Sequence, residues 1–255
     1  MVVKTHIEYD SVDSIPHPGA GWTRFVCISD THSRREPLPF GDVLLHSGDL
    51  SAWGYPHQVK AVISWLKEEP HPVKIIVAGN HDLCLDARLP IEAHVDETPE
   101  SLESIREYVR SQEVKNAGLN YLEHESMEFT TEGGRSWKVY GSPAAPHYAG
   151  GAFQYKNEAA AKELYNRIPL DTEILLTHTP PFEVLDLTRK GKNAGCRFLG
   201  ERLEMLHSCR LHVFGHIHEA RGALILKNED NNERVAVNAA IAHRGSKPII
   251  VDISH

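Results

Sequence analysis

The sequence predicts an α/β fold, with its strands in one large mixed sheet or in two packed sheets, as a single domain over residues 1–255. Three observations lead there. Short aliphatic and β-branched runs alternate with amphipathic helical patterns. Two further stretches read as hairpins. The chain of 255 residues, 41% apolar and 24% charged, has the size and composition of one large globular unit.

Residues 24–29, 42–47, 73–78, 173–177 and 211–214 are the buried strands, each with the length and bounding turn signals of that class. Between the second and third, Val59, Val62, Ile63 and Leu66 recur at helical spacing behind Pro56, which predicts an amphipathic helix. A second helix opens at Thr98 and Pro99 and carries Leu102, Ile105 and Val109 on one face. Residues 157–167 and 201–208 are predicted helical as well. Hairpins are expected where residues 121–131 and 136–140 flank Gly133 and Gly134, and where 223–226 and 234–237 flank the polar turn 228–233. The Pro/Gly-rich stretch 141–151 reads as a long loop.

Composition removes several classes of function. The apolar runs fall far short of the ~18 residues a membrane span needs, and no leader-like apolar stretch opens the chain. A net charge of −8 disfavours grip on extended nucleic acid. Cys27, Cys84, Cys196 and Cys209 are far apart, which fits reduced thiols in an intracellular, cytoplasmic protein.

The chemistry sits at the strand ends. Asp30 and His32 come after the first strand, Gly48 and Asp49 after the second, and Gly79, Asn80, His81 and Asp82 after the third. His178 comes after the fourth; Gly215, His216 and His218 come after the fifth. Ligands of open α/β sheets collect at the carboxyl ends of strands. Five strands in order delivering Asp, His and Asn to that edge form a metal-site pattern, whereas one such strand end would be weak evidence.

The order D-x-H, G-D, G-N-H-D, H, G-H-x-H resembles that of the calcineurin-like binuclear metallophosphoesterases. Residues 41–49, 78–81, 175–181 and 211–219 look like the metallophosphoesterase-domain-containing, UPF0046-type branch, and the likeness runs from about Arg24 to about Val251. The resemblance implies a four-layer α/β/β/α sandwich of two mixed sheets flanked by helices. It implies that Asp30, His32 and His218 hold one metal, that Asn80, His178 and His216 hold another, and that Asp49 bridges both. His81 would face the substrate and assist the leaving group as hydroxide bridging the metals attacks; bracing Asn80 is the alternative.

Mixed imidazole, carboxylate and amide donors suit Mn²⁺ first, with Fe or Zn as alternatives. Two divalent ions outweigh the two carboxylates and leave the centre positive enough to attract a phosphate. Protein Ser/Thr phosphatases of the superfamily follow the bridging Asp with an acid and an arginine, and purple acid phosphatases with a tyrosine; Ala52 and Trp53 supply none of these. The expected reaction is hydrolysis of small phosphodiesters, nucleotides and cyclic nucleotides among them. A nuclease acting on DNA or RNA ends and a nucleotide-binding scaffold with little turnover are the alternatives. Arg34, Arg35, Asn238 and His243 are further candidates near the site. His46, His57, His71, His94 and His212 are expected to be structural or solvated, and Cys196 to edge the pocket without acting as a nucleophile. Oligomeric state is not legible.

Overall fold

A computed structural model describes residues 2–227 and 233–255. In chain order the first half contains β1 (Val3–His6), β2 (Trp22–Ile28), β3 (Val43–Ser47), α1 (Pro56–Glu68), β4 (Val73–Val77), α2 (Pro99–Val109), α3 (Gln112–Asn116) and β5 (Leu119–Tyr121). The second half contains β6 (Glu125–Thr130), β7 (Ser136–Ser142), β8 (Ala145–Pro146), β9 (Gln154–Tyr155), α4 (Glu158–Asn166), β10 (Ile174–Thr177), α5 (Arg197–Met205), β11 (Leu211–Phe214), β12 (Gly222–Lys227), β13 (Glu233–Asn238) and β14 (Ile249–Ser254). Two six-stranded sheets result, ordered β1-β14-β2-β3-β4-β5 and β12-β13-β11-β10-β7-β6. The neighbours from β2 to β5 are parallel, as are those from β13 to β7, and antiparallel strands close the edges.

Alternation along the strands builds the layers. Phe25, Cys27, Val43, Leu45, Ile75 and Val77 point from the first sheet into a core shared with Val139, Ile174, Leu176, Val213 and Val237 of the second. The intervening Val26, Ile28, Leu44 and Ile76 pack outward against Val59, Val62, Ile63 and Leu66 of α1, Leu102 and Ile105 of α2 and Val114 of α3. On the far side Tyr140 and Leu175 meet Ala161 and Tyr165 of α4 and Leu199 and Leu203 of α5. Strands covered on both faces explain the near-continuous apolar runs. The order of layers is helix, sheet, sheet, helix.

The helices obey local rules. Pro56 and Pro99 occupy first-turn positions, and Thr98 and Asn157 cap α2 and α4 by accepting from Ser101 and Ala160 N–H. Three expectations need correction. The helix placed at 201–208 runs over Arg197–Met205, because Leu199 and Leu203 form its buried stripe and Cys196 is extended. Tyr121 belongs to β5 in the first sheet, so the hairpin is β6 with β7 alone; the chain crosses between sheets just before Glu125. The loop at 141–151 is partly ordered into strands, since β7 reaches Ser142 and β8 pairs with β9. Strands β12 and β13 pair as predicted, while residues 228–232 of their turn lie outside the described residues.

One buried ion pair ties the edge of the first sheet. Arg24 donates from Nε to Asp252 Oδ1 at 2.7 Å and from Nη2 to Oδ2 at 2.8 Å, and its remaining donors reach the Ile15 and Pro16 carbonyls. The two side chains are 2% and 1% exposed, so truncating one leaves a buried charge uncompensated. Asp252→Ala is expected to destabilise the protein by about 3–5 kcal/mol, measured by urea unfolding. A loss below about 1 kcal/mol, the scale of a surface pair, contradicts this.

Candidate metal centre

Parallel strands β2, β3 and β4 of one sheet and β10 and β11 of the other end at the same edge. Asp30 and His32, Asp49, Asn80 and His81, His178, and His216 with His218 are therefore delivered to one place. The turns that do this are tight. At Gly48 φ is +96°, and a Cβ there would lie 2.5 Å from the Ala78 carbonyl and 2.6 Å from His178 Nδ1. At Gly215 a Cβ would collide with the Asp30 carboxylate. Asp30, His32, Ser33, Asp49 and His216 all have φ between 47° and 68°. Left-handed backbone at a non-glycine residue costs about 1–3 kcal/mol and concentrates at functional sites. Hydrogen bonds hold it in place: Asp30 N–H to Gly48 O at 2.9 Å, His32 N–H to Asp49 O at 3.1 Å, and His216 N–H to Asp30 Oδ2 at 3.0 Å.

Two knots of donor atoms form there. In the first, His218 Nε2 lies 3.0 Å from Asp30 Oδ1 and 3.3 Å from His32 Nε2. In the second, His178 Nε2 lies 2.8 Å from Asn80 Oδ1 and 3.4 Å from Asp49 Oδ1, and the His178 and His216 rings are 5.0 Å apart. The other Asp49 oxygen, Oδ2, is 3.9 Å from His32 Nε2, so the two oxygens of one carboxylate face different knots. One ligand atom from each of Asp30, His32, Asp49 and His218 lies within 4.8 Å of the others. Atoms bound to one ion at about 2.0–2.2 Å sit about 3 Å apart at right angles, so these spacings fit a metal.

Protonation fits too. Burial pushes His32 down to about 4 and His216 down to about 3, and lowers His178, so these imidazoles offer lone pairs at neutral pH. His178 is further fixed because Nδ1 donates to Ser47 O at 2.9 Å, which turns the Nε2 lone pair toward Asn80 and Asp49. Burial raises Asp30, but the His218 hydrogen bond and the surrounding His178, His218 and His32 rings outweigh it and hold the carboxyl well below its usual range. Burial opposes protonation of His218, yet its bond to Asp30 draws it upward. Asp49 is driven well above the carboxylate range by burial and by the nearby Asp30 and Asp82. Dications beside these carboxylates would relieve that repulsion.

Asp82 closes the G-N-H-D motif with no role that the sequence suggests, and the structure supplies one. Its buried carboxylate accepts from Leu50 N–H at 3.1 Å, Ser51 N–H at 2.8 Å, Ser51 Oγ at 2.7 Å and Gly79 N–H at 2.8 Å. It thereby staples the Asp49 turn to the Asn80 turn. His81 packs edge-on against His32 at 4.7 Å, its N–H donates to Asp49 Oδ1, and its Nδ1 donates to Ala52 O at 2.8 Å.

The looser candidates divide. Arg34 is engaged by the Thr31 and Ile241 carbonyls, and Arg35 is exposed. Asn238 donates to Ile217 O, between His216 and His218, at 2.9 Å. His243 stands edge-on to His218 at 6.1 Å. His46 and His212 are buried on Thr31 and Thr177, His71 on the Pro39 carbonyl. His94 is buried too, and His57 is exposed and stacked on Tyr55. Cys196 packs in the α4–α5 core rather than edging the centre.

Comparison with known proteins shows the family. The model of the calcineurin-like phosphoesterase family matches residues 23–220. Metallophosphoesterase domain-containing protein 1 of Homo sapiens is 34% identical over 262 residues, covering 95% of this chain and 75% of that protein. A UPF0046 protein of Caenorhabditis elegans is 30% identical over 239 residues, covering 92% of this chain and 76% of that one. A solved dimetal phosphatase from Danio rerio overlays 91% of this chain and 92% of its own, at 10% identity and a TM-score of 0.48. The chain belongs to the calcineurin-like phosphoesterase family. Its chemistry is binuclear, metal-dependent hydrolysis of phosphate esters. No helix among the described residues is long and apolar enough to cross a membrane.

Removing the Asp82 staple tests its part in the centre. Asp82→Ala leaves three buried N–H groups without their acceptor and frees the Asp49 and Asn80 turns, so metal affinity is expected to fall about 10–100-fold. Titration of the metal-stripped protein with Mn²⁺ measures it. Unchanged affinity in a folded variant contradicts the stapling role.

Proposed function

We propose that this centre hydrolyses small phosphodiesters, nucleotides and cyclic nucleotides among them, with Mn²⁺ as the preferred ion. Asp30, His32 and His218 would hold one ion, Asn80, His178 and His216 the other, and Asp49 would bridge them. Bound there, two divalent ions supply an acidified water and neutralise phosphoryl oxygens. We place the whole chain, as one functional unit, in the cytoplasm; its four cysteines are all buried free thiols.

The observation that carries the reading is the placement of His81. Its Nδ1 is committed to the Ala52 carbonyl, so Nε2 is the nitrogen left for a departing oxygen. Ala52 occupies the position at which protein phosphatases of the superfamily place an acid, and here the backbone carbonyl does the orienting. Preference for diesters is supported by the surroundings of Asp49. Trp53 stands where those phosphatases carry arginine, and the Arg34 guanidinium is taken by carbonyls. A dianionic monoester needs one more cation at phosphorus than a diester does.

The test is a panel on metal-stripped protein reloaded with Mn²⁺ or Mg²⁺, using a bis-nitrophenyl diester, a nitrophenyl monoester and a cyclic nucleotide. The diester is expected to outpace the monoester, with Mn²⁺ the better ion. His81→Ala is expected to lose about 10²–10⁴-fold on the cyclic nucleotide, whose alkoxide needs a proton, and far less on the nitrophenyl diester. Faster monoester hydrolysis overturns the substrate class, full rates with Mg²⁺ overturn the metal, and equal losses on both diesters reduce His81 to phosphate positioning.

A further inference from the structure

The long connection from β10 to α5 turns back over the His218 side of the centre, and its tip is basic. Residues 188–192 are Thr, Arg, Lys, Gly and Lys, in a chain whose net charge is −8. The tip is a built turn: Gly191 N–H donates to Thr188 O at 2.8 Å, Thr188 N–H to Lys192 O at 2.9 Å, and Leu187 bridges Asn193. Buried Asp186 anchors its base by accepting from Glu183 N–H at 3.0 Å and Gly195 N–H at 2.9 Å. Asn238 fastens the connection to the metal centre, because its Nδ2 donates both to Leu185 O at 3.0 Å and to Ile217 O at 2.9 Å.

Two more ties fix Arg189 itself. Its backbone N–H donates to Glu219 Oε1 at 2.6 Å, next to His218 in the chain. Its Nη2 lies 3.2 Å from His243 Nε2, and the His243 ring stands edge-on to His218 at 6.1 Å. Arg189 is exposed, and no carboxylate within ion-pair distance claims its guanidinium among the described residues. A guanidinium held by a neighbouring ring, near the Glu219 carboxylate but not paired with it, keeps its fork free to receive a phosphate or carboxylate. It is two contacts removed from His218, through the His243 ring, and so lies at the rim of the centre rather than among the ligand-type side chains.

We propose that Arg189, set by His243 and the Lys190–Lys192 turn, binds a second anionic group of the substrate, so that the preferred diesters are nucleotides carrying a further phosphate. This rests on the diesterase reading above and deepens it. The second group does not react, so its contact acts on binding and appears in KM rather than kcat.

The experiment compares thymidine 5′-(p-nitrophenyl phosphate) with the same compound bearing a 3′-phosphate, which share one leaving group. For the unmodified protein the 3′-phosphate is expected to raise kcat/KM about three- to tenfold through KM, and the gain should shrink as salt rises. Arg189→Ala should bring the ratio of the two substrates to about one, and Arg189→Lys should restore part of it. Lys138→Ala, which alters a surface pair with Asp171, should keep the unmodified ratio. A ratio near one in the unmodified protein, or one indifferent to Arg189→Ala, overturns the inference while hydrolysis of the plain ester upholds the diesterase reading. If neither ester is cleaved, that reading fails by itself. Calorimetric binding of thymidine 3′,5′-bisphosphate against thymidine 5′-phosphate then decides the inference: tighter bisphosphate binding lost in Arg189→Ala supports it, and equal binding overturns it.

Discussion

The metal centre depends on the register between two sheets, and the bond from His178 Nδ1 to the Ser47 carbonyl at 2.9 Å pins that register where it matters. His178 ends a strand of one sheet and Ser47 ends a strand of the other. A second stitch lies beside it, where Ile241 N–H donates to Ser29 O at 2.9 Å and Ala240 bridges Ser29. Behind these stitches the shared core of Phe25, Leu45, Ile174, Val213 and their neighbours holds the sheets face to face. Strand side chains alternate with period two, so a slip of one residue would turn Phe25 outward and Val26 inward and carry the strand-end carboxylates off the edge.

That rigidity is what permits strain and charge at the edge. Five non-glycine residues in left-handed backbone and three buried carboxylates, Asp30, Asp49 and Asp82, would each be unfavourable alone. They persist because their backbone groups are bonded across neighbouring turns and because Asp82 gathers four donors from the Asp49 and Asn80 turns. The cost is consistent with a site organised for cations before they arrive, since little rearrangement is then needed on loading. Net charge points the other way at long range, and the basic turn around Arg189 offers a local attraction for anionic substrates within an acidic molecule.

Much of this is legible in the sequence, and the reasons differ by element. The five central strands show as aliphatic runs because both faces of each are covered, and the ligand-type residues show because each comes directly after such a run. The four layers come only from family likeness: the string of apolar residues at 24–28 does not reveal that Phe25 and Val26 face different layers. The pattern misplaces the start of α5 because its stripe of Leu199 and Leu203 begins before the charged stretch that looks helical. Asp82 and Arg189 escape sequence reasoning as functional residues for one reason. Their roles are relations across the chain, Asp82 to Leu50 and Ser51, and Arg189 to His243, and no local pattern encodes them.

The proposed centre uses seven side chains from both sheets to hold two ions, with Asp49 between them. Crystals grown with Mn²⁺ and measured at a wavelength where manganese scatters anomalously test it most directly. Two anomalous peaks are expected about 3.5–4 Å apart, one beside Asp30, His32 and His218 and the other beside Asn80, His178 and His216, with the Asp49 carboxylate touching both. A single peak, or two peaks with Asp49 contacting only one, would contradict it.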